Sequence, residues 1–162
     1  MVPVQESGNN MTVSVKVLDY TNRKVQKAYD TPLDVLVGYL QSSAGTDENG
    51  VSNLQKAWQN EFGVKNKIPE RSFIRSTISE NIDQIRDYIA KLEERIFSGF
   101  VDINKVDEML AVFVIGLIKE KIKRSREWAV ENAPLTKEKK GSDQPLVDTG
   151  DMRNNLDWKR NS

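Results

Sequence analysis

The sequence predicts an α+β fold in which a long antiparallel helical hairpin packs on a small antiparallel sheet. Two long segments, 77–98 and 103–131, carry apolar residues at steps of three and four, the period of a helix buried on one face. The connection between them is short, so we expect them to be antiparallel neighbours. Segments rich in β-branched or alternating apolar residues predict strands near 12–18, 33–40 and 156–160.

Length and composition bound the class of protein. The 162 residues suit one domain, and we expect a disordered tail over 1–10, then a single α+β domain with extended loops over 11–162. Basic and acidic residues number 24 each, so the net charge gives no general attraction to nucleic acid or to an anionic membrane. The chain has no cysteine and no histidine, which excludes disulfides, thiol catalysis and the commonest general base and metal ligand. We therefore expect no enzyme, no metal and no cofactor.

The N-terminal part predicts two strands. Residues 1–10 lack a basic start followed by an apolar run, so the sequence predicts no secretory signal and synthesis in the cytoplasm. Val13, Val15 and Val17 alternate with polar residues, as in a strand buried on one face. Segment 33–40 has no decisive period, but its valines and interior glycine favour a strand over a short helix.

A loop, a short helix and an irregular link follow. Segment 41–50 has the composition of a loop. Segment 52–62 predicts a helix that Ser52 caps and Gly63 ends. Segment 64–76 predicts an irregular link. The link contains Pro69, and its residues expected at the surface are Arg71, Phe73, Ile74 and Arg75.

The first long helix has the clearest pattern in the chain. Six apolar residues at spacings of four, three, four, three and four form its seam: Ile78, Ile82, Ile85, Ile89, Leu92 and Ile96. Thr77 and Glu80 are expected to form a capping box at its start. Packing within the domain is favoured over a coiled coil, because barely three heptads fit before Gly99.

The second long helix contains the apolar run MLAVFVIGLI at 109–118. The run is too short to cross a membrane, which takes about 20 residues. Because it is apolar on all sides, it should be covered nearly all round, either by the chain's own fold or by other subunits. Five basic residues gather toward the end of this helix: Lys119, Lys121, Lys123, Arg124 and Arg126. Interaction of these cations with the helix C-terminus is favoured over nucleic-acid binding, because glutamates dilute the patch.

The C-terminal segment, 133–162, predicts turns and one short strand. Three residues exclude a continuous helix: Pro134, Gly141 and Pro145. Asp148 or Thr149 is expected to cap a single helical turn over 151–155, and a positive φ is expected at Gly150.

Three blocks of the sequence together resemble a known protein family. The first joins VGYL at 37–40 to AWQNEFG at 57–63; the second is IPERSFIR at 68–75; the third is PLVDTGDMRN at 145–154. In this order and spacing they are similar to the virion-morphogenesis or neck proteins of tailed bacteriophages, also described as tail-completion proteins. Ser72 departs from the family pattern, which usually has a second proline there.

The resemblance implies a non-enzymatic structural protein of the virion. Such proteins form a ring, commonly a hexamer, at the head–tail junction or tail end, and the implied fold is α+β. The implied partners are copies of the chain itself, the neighbouring connector and the tail tube or sheath proteins. No small-molecule substrate or membrane is implied, and DNA at most passes through the ring lumen. The implied location is the virion, after a stage in the host cytoplasm.

The resemblance and the local chemistry together point to a subunit interface. The suspected interface residues are Trp58, Phe62, Pro69, Arg71, Phe73, Asp148, Thr149, Gly150, Met152 and Arg153. For Arg153 an intrachain contact with Asp148 or Asp151 is nearly as well supported, and Phe73 is equally compatible with a plug over the open end of the hairpin. The alternative function is a small helical nucleic-acid-binding protein that uses the basic patch over 119–126.

Overall fold

A computed structural model gives the structure of the protein. It describes residues 4–7, 10–15, 34–42, 44–46, 50–140, 142–147 and 150–161. Two sets of predictions fall outside these ranges. They are the last three residues of the strand predicted over 12–18, and the roles of Asp148 and Thr149 as helix caps or interface residues.

The described part of the chain forms four strands and seven α-helices. The strands are β1 (Val4–Ser7), β2 (Asn10–Val15), β3 (Val35–Tyr39) and β4 (Asp157–Arg160). The helices are α1 (Asn53–Phe62), α2 (Phe73–Glu80), α3 (Ile82–Phe97), α4 (Val106–Lys123), α5 (Ser125–Trp128), α6 (Pro134–Lys140) and α7 (Asp151–Asn154). A 3₁₀ turn, Ile103–Lys105, precedes α4. The predicted α+β class is confirmed.

The four strands form one antiparallel sheet in the order β1, β2, β3, β4. Val37 in β3 pairs with Val13 in β2 and with Trp158 in β4, which sets the register of the three strands. The described residues of β3 bury their side chains, and α4 packs against this strand. An ion pair between Arg160 of β4 and the buried Asp107 of α4 also joins the sheet to the helices.

The long helices α3 and α4 form the predicted antiparallel hairpin. Tyr88 of α3 stacks on Phe113 of α4 with ring centroids 4.1 Å apart. Glu80, at the end of α2, accepts a hydrogen bond from Lys121 near the end of α4, at 2.7 Å. From Glu80 to Tyr88 the chain position rises, while that of the partner falls from Lys121 to Phe113, as an antiparallel hairpin requires. Four members of the predicted isoleucine and leucine seam are buried: Ile78, Ile85, Ile89 and Leu92.

The bounds of the long helices differ from the prediction. The first helical region begins at Phe73, not at Thr77, and Asn81 divides it into α2 and α3. The predicted capping box is therefore wrong: Thr77 is buried inside α2, and its hydroxyl donates to the carbonyl oxygen of Phe73 at 2.5 Å. The second helix ends at Lys123 and continues, after a turn at Arg124, only to Trp128. The side-chain hydroxyl of Thr77 and the side-chain amide of Asn81 donate to backbone oxygens, and such bonds compete with continuation of a helix.

Three shorter segments also differ from the prediction. The segment predicted as a disordered tail contains β1, because pairing with β2 supplies backbone hydrogen bonds that do not depend on apolar side chains. The helix α6 begins at Pro134, where the missing N–H of proline costs nothing in a first helical turn. Ser52 precedes α1 as predicted, but its side chain makes no capping hydrogen bond.

One face of the apolar run at 109–118 is open in the single chain. Leu110, Val114 and Ile118 are buried, whereas Val112 is 57% exposed and Gly116 is also exposed. The chain's own fold therefore covers only part of the run. Cover by other subunits, the second alternative of the sequence analysis, stays a prediction.

Candidate functional site

A groove of about 290 Å³ lies between α1, the segment around Pro69 and the turn at the C-terminal end. We call residues 150–155 the closing turn. The groove walls carry amides, cations and one carboxylate, and we call it the amide-lined groove. Its polar residues include Asn53, Lys56, Asn60, Lys67, Asn132 and Asp151.

Glu61 follows the groove residue Asn60 in α1 and joins this helix to the start of α2. It lies in the last turn of α1 and is fully buried. Its carboxylate accepts hydrogen bonds from the backbone N–H groups of Ile74 at 2.9 Å and Arg75 at 3.0 Å. It also accepts from the hydroxyl of Ser72 at 3.0 Å. Glu61 thus caps the N-terminus of α2 from a different helix, where a negative charge is favoured.

Arg75 completes the charge balance around Glu61. Its Nε donates to the Glu61 carboxylate at 3.0 Å, and its Nη2 donates to Glu70 at 2.6 Å. Burial opposes the charge on Arg75, but the hydrogen bonds to the two glutamates outweigh it and raise the pKa of the guanidinium. The same guanidinium lies 4.7 Å from the ring centroid of Phe62, at the distance of a cation–π contact.

Arg71 joins the groove to the segment after α5. It is 5% exposed, and its guanidinium donates to backbone oxygens of Val130 at 2.7 Å and Glu131 at 3.1 Å. It also donates to the amide oxygens of Asn60 at 2.9 Å and Asn132 at 3.2 Å. Because these acceptors carry no charge, burial dominates and lowers the pKa of Arg71. We call Asn60, Glu61, Arg71, Arg75 and Asn132 the Arg71 junction.

Tyr39 connects the sheet to both sides of the groove. Its hydroxyl donates to the carbonyl oxygen of Met152 in the closing turn. Its ring meets the ring of Phe73 edge to face, with centroids 6.4 Å apart. Burial first, and then the negative charge of Glu61, raise the pKa of the Tyr39 hydroxyl. The hydroxyl therefore stays protonated and can act as a donor over the whole physiological range.

One groove residue has an unused acceptor. The side-chain oxygen of Asn53 is buried and has no hydrogen-bond partner within the described ranges. Asn53 begins α1 and lines the groove. A buried carbonyl oxygen without a donor carries an energetic cost.

Two suspected interface residues are buried, which corrects the prediction that they are exposed. Phe73 has no exposed surface and lies in the hydrophobic core, and Arg71 is held in the junction. Ile74 is also buried. Of the two alternatives for Phe73, the structure supports the packing role. The physical reason is that α2 begins at Phe73, so Phe73 and Ile74 are helical residues that pack into the hydrophobic core.

Other suspected interface residues lie at the surface. Trp58 is 41% exposed and contacts Phe62 with ring centroids 5.6 Å apart. Pro69 is exposed and lines the groove. Arg153 is exposed, and Met152 is half-buried.

Gly150 has the backbone conformation that the sequence predicted. Its φ is +90°, in the left-handed region that favours glycine. It precedes α7, and its carbonyl oxygen accepts hydrogen bonds from the N–H groups of Arg153 and Asn154, each at 3.0 Å. The glycine therefore sets the direction in which the closing turn leaves the groove.

The basic patch is largely paired with carboxylates of the same chain. Lys121 binds Glu80 and lies over the ring of Trp128, Lys123 lies 3.6 Å from Glu120, and Lys119 is half-buried. Arg124 pairs with Glu127, and this hydrogen bond raises the pKa of Arg124 and lowers that of Glu127. Arg126 pairs with Asp143 at 2.6 Å. These pairs reduce the positive field that phosphate binding needs.

The described part of the chain offers neither a metal site nor a membrane span. No group of three acidic side chains there could hold a metal ion. No helix there combines the length and the apolar character needed to cross a membrane.

Comparisons of the chain with family models, curated proteins and solved structures found no match.

Sequence reasoning missed the roles of Glu61, Asn60 and Asn132. One signal could have indicated the first: Glu61 stands in the last turn of a predicted helix, where the helix dipole disfavours a carboxylate. Such a residue needs a favourable partner elsewhere. No local pattern marks the two asparagines, because their partners lie far away in the sequence.

Proposed function

We propose that the chain is a structural protein of the neck of a tailed-phage virion. It forms a ring at the head–tail junction or at the tail end, with the connector and the tail tube or sheath proteins as neighbours. The proposal includes no catalytic activity. It places the chain in the virion after a stage in the host cytoplasm.

One observation carries this proposal: the three blocks of the family resemblance meet around the amide-lined groove. The backbone N–H of Arg71 donates to the carbonyl oxygen of Asn60 at 2.6 Å, which joins the first block to the second. Tyr39 contacts Phe73 and Met152, which joins the first block to the second and the third. The resemblance falls on segments that are far apart in the chain, as expected if these segments form one functional surface.

The exposed groove residues suit contact with another protein. The groove is lined by polar side chains, among them the half-buried Gln59 and the exposed Lys67, which match the polar backbone of an incoming segment. Arg153 and Pro69 are exposed beside it. An arginine at this position can make bidentate contacts with a carboxylate of a neighbouring subunit.

The first test is to locate the protein in intact particles. Virions carrying the chain are labelled with a gold-conjugated antibody and viewed by electron microscopy. We expect label at the neck or tail end. Label absent from particles, with all protein left in the lysate, would contradict the proposed function.

The second test uses the Arg153→Ala variant in the same phage. We expect unjoined heads and tails to accumulate while the purified variant keeps its melting temperature. Arg86→Ala is the matched control, since Arg86 is an exposed arginine on α3 that pairs with Asp83. Normal particles from Arg153→Ala would show that this residue is not part of the assembly surface.

A test with DNA separates the proposed function from the alternative one. A protein that neutralises several phosphates loses DNA affinity steeply as salt increases. Because four of the five patch cations have carboxylate partners, we expect little retention on a DNA column even at low salt. Strong retention that Lys119→Ala and Lys123→Ala abolish would favour the nucleic-acid-binding function instead.

A further inference from the structure

We propose that copies of the chain join head to tail by pairing the free edge of β4 in one copy with the free edge of β1 in the next. The inference rests on the proposed ring and names the surface through which its subunits join. β1 and β4 are the outer strands of the sheet, so one side of each has no neighbouring strand in the described part of the chain. Each strand contains four residues.

The strand directions fit this pairing. Each neighbouring pair in the sheet is antiparallel, so β4 runs opposite to β1 across the four strands. A β1 strand from a second copy in the same orientation would therefore lie antiparallel to β4 and continue the sheet. Contacts of this head-to-tail kind produce a closed ring when the rotation between copies closes, and a filament when it does not.

The hydrogen bonds show which backbone groups face the free edge of β4. The N–H of Asn161 donates to the carbonyl oxygen of Asp34 at 2.9 Å, so this residue pair is hydrogen bonded toward β3. Successive residues of an antiparallel strand point their backbone groups to opposite sides. The backbone groups of Trp158 and Arg160 therefore point away from β3, toward the free edge.

Asp157 occupies part of this edge in the single chain. Its side-chain oxygen accepts a hydrogen bond from the N–H of Trp158 at 2.8 Å. An incoming strand would offer a backbone carbonyl to the same N–H and must displace the carboxylate. Asp157 thus protects the edge against premature pairing, as charged side chains do on many edge strands.

Charge disfavours pairing of β4 with a second β4. β4 carries the exposed Lys159 and Arg160. Two β4 strands would bring these cations together. Like charges on directly opposed strands are destabilising, and opposite charges are favourable.

The first experiment removes the protection of the edge. Asp157→Ala frees the N–H of Trp158, so the purified variant should form larger assemblies than the unaltered chain at equal concentration, measured by multi-angle light scattering. Asp83→Ala, which removes an exposed carboxylate on α3, is the control and should leave the mass unchanged. An Asp157→Ala protein that stays monomeric at every concentration would contradict the inference.

The second experiment blocks the opposite edge. Successive residues of a strand point their backbone groups to opposite sides. When this alternation is followed through the register from β4 to β1, the N–H of Glu6 lies at the free edge of β1. Glu6→Pro removes this donor without removing a hydrogen bond to β2, and proline is tolerated on such edges. Added to Asp157→Ala, it should return the protein to a smaller mass. No decrease in mass would show that β1 is not the partner edge.

The third experiment detects the pairing directly. The chain has no cysteine, so introduced cysteines are the only ones. The register aligns position 5 of β1 with position 157 of β4, so the two positions lie on the same face of the sheet. Position 159, two residues after position 157, lies on that face as well. Under oxidation in the Asp157→Ala background, Gln5→Cys combined with Lys159→Cys should give a ladder of disulfide-linked multimers, while each single cysteine variant gives no ladder. Equal cross-linking of a single variant would indicate self-pairing of one edge and overturn the inference.

These experiments separate the two proposals. Gold label at the neck without any cross-linked ladder would keep the neck function and reject the strand pairing. A cross-linked ladder without label on particles would keep the strand pairing and reject the neck function.

Discussion

The Arg71 junction and the closing turn border the same groove but use an arginine in opposite ways. The guanidinium of Arg71 is buried and donates four hydrogen bonds to oxygens of the chain. Arg153 is exposed on a helix of four residues that starts at a left-handed glycine. The difference teaches that the first arginine belongs to the scaffold of the groove, whereas the second lies at the surface.

The difference extends to the residues around each arginine. The junction includes the buried carboxylate of Glu61, which caps α2, and α2 begins at the buried Phe73. In the closing turn, the half-buried Met152 accepts a hydrogen bond from Tyr39. Substitutions in the junction should therefore unfold the domain, and substitutions in the turn should change the surface while the domain stays folded.

Phe73→Ala should produce the largest loss of stability. Truncation of a fully buried phenylalanine costs about 3–5 kcal/mol, because the cavity is only partly refilled. In a domain of this size the loss lowers the melting temperature by roughly 10 °C, measured by circular dichroism. Phe100→Ala removes the same ring from a position that is 79% exposed and should leave the melting temperature nearly unchanged. Equal melting temperatures for the two variants would show that the ring of Phe73 does not pack in the core.

Arg71→Ala should cost less than Phe73→Ala but clearly more than Arg153→Ala. Loss of Arg71 removes the donor of the part-buried carbonyl oxygen of Val130 and of the buried amide oxygen of Asn132, at a cost of about 2 kcal/mol. Arg153→Ala should stay within about 0.5 kcal/mol of the unaltered chain, as is usual for surface substitutions. Urea denaturation of the two variants measures both values. Similar losses for both would remove the distinction between scaffold and surface.

Gly150→Ala should destabilise the domain less than Phe73→Ala and Arg71→Ala. The φ of +90° is unfavourable for alanine, and we expect a loss of about 1 kcal/mol. Gly116→Ala is the matched control, because Gly116 lies inside α4 with no atom within 4 Å of an added methyl group. There the same substitution should stabilise by about 0.5–1 kcal/mol. Thermal melts that shift in the same direction for both would contradict the conformational role of Gly150.

Local patterns in the sequence determined most of the secondary structure. The isoleucine and leucine seam predicted the first long helix, and four of its members are buried. Gly63, with φ of +72°, ends α1 as expected, and β4 lies within the predicted segment 156–160. These features could be predicted because periodicity and backbone preference are properties of neighbouring residues.

Only the tertiary structure decided which polar residues are buried. Arginine is usually found at the surface, yet Arg71 is buried. Its hydrogen-bond partners Val130 and Glu131 lie 59 and 60 positions away in the chain. Glu61 caps a helix that begins 12 positions later. That helix begins at Phe73, whereas the sequence predicted a start at Thr77. A charged side chain is buried where distant groups satisfy it, and no local pattern encodes where those groups will lie.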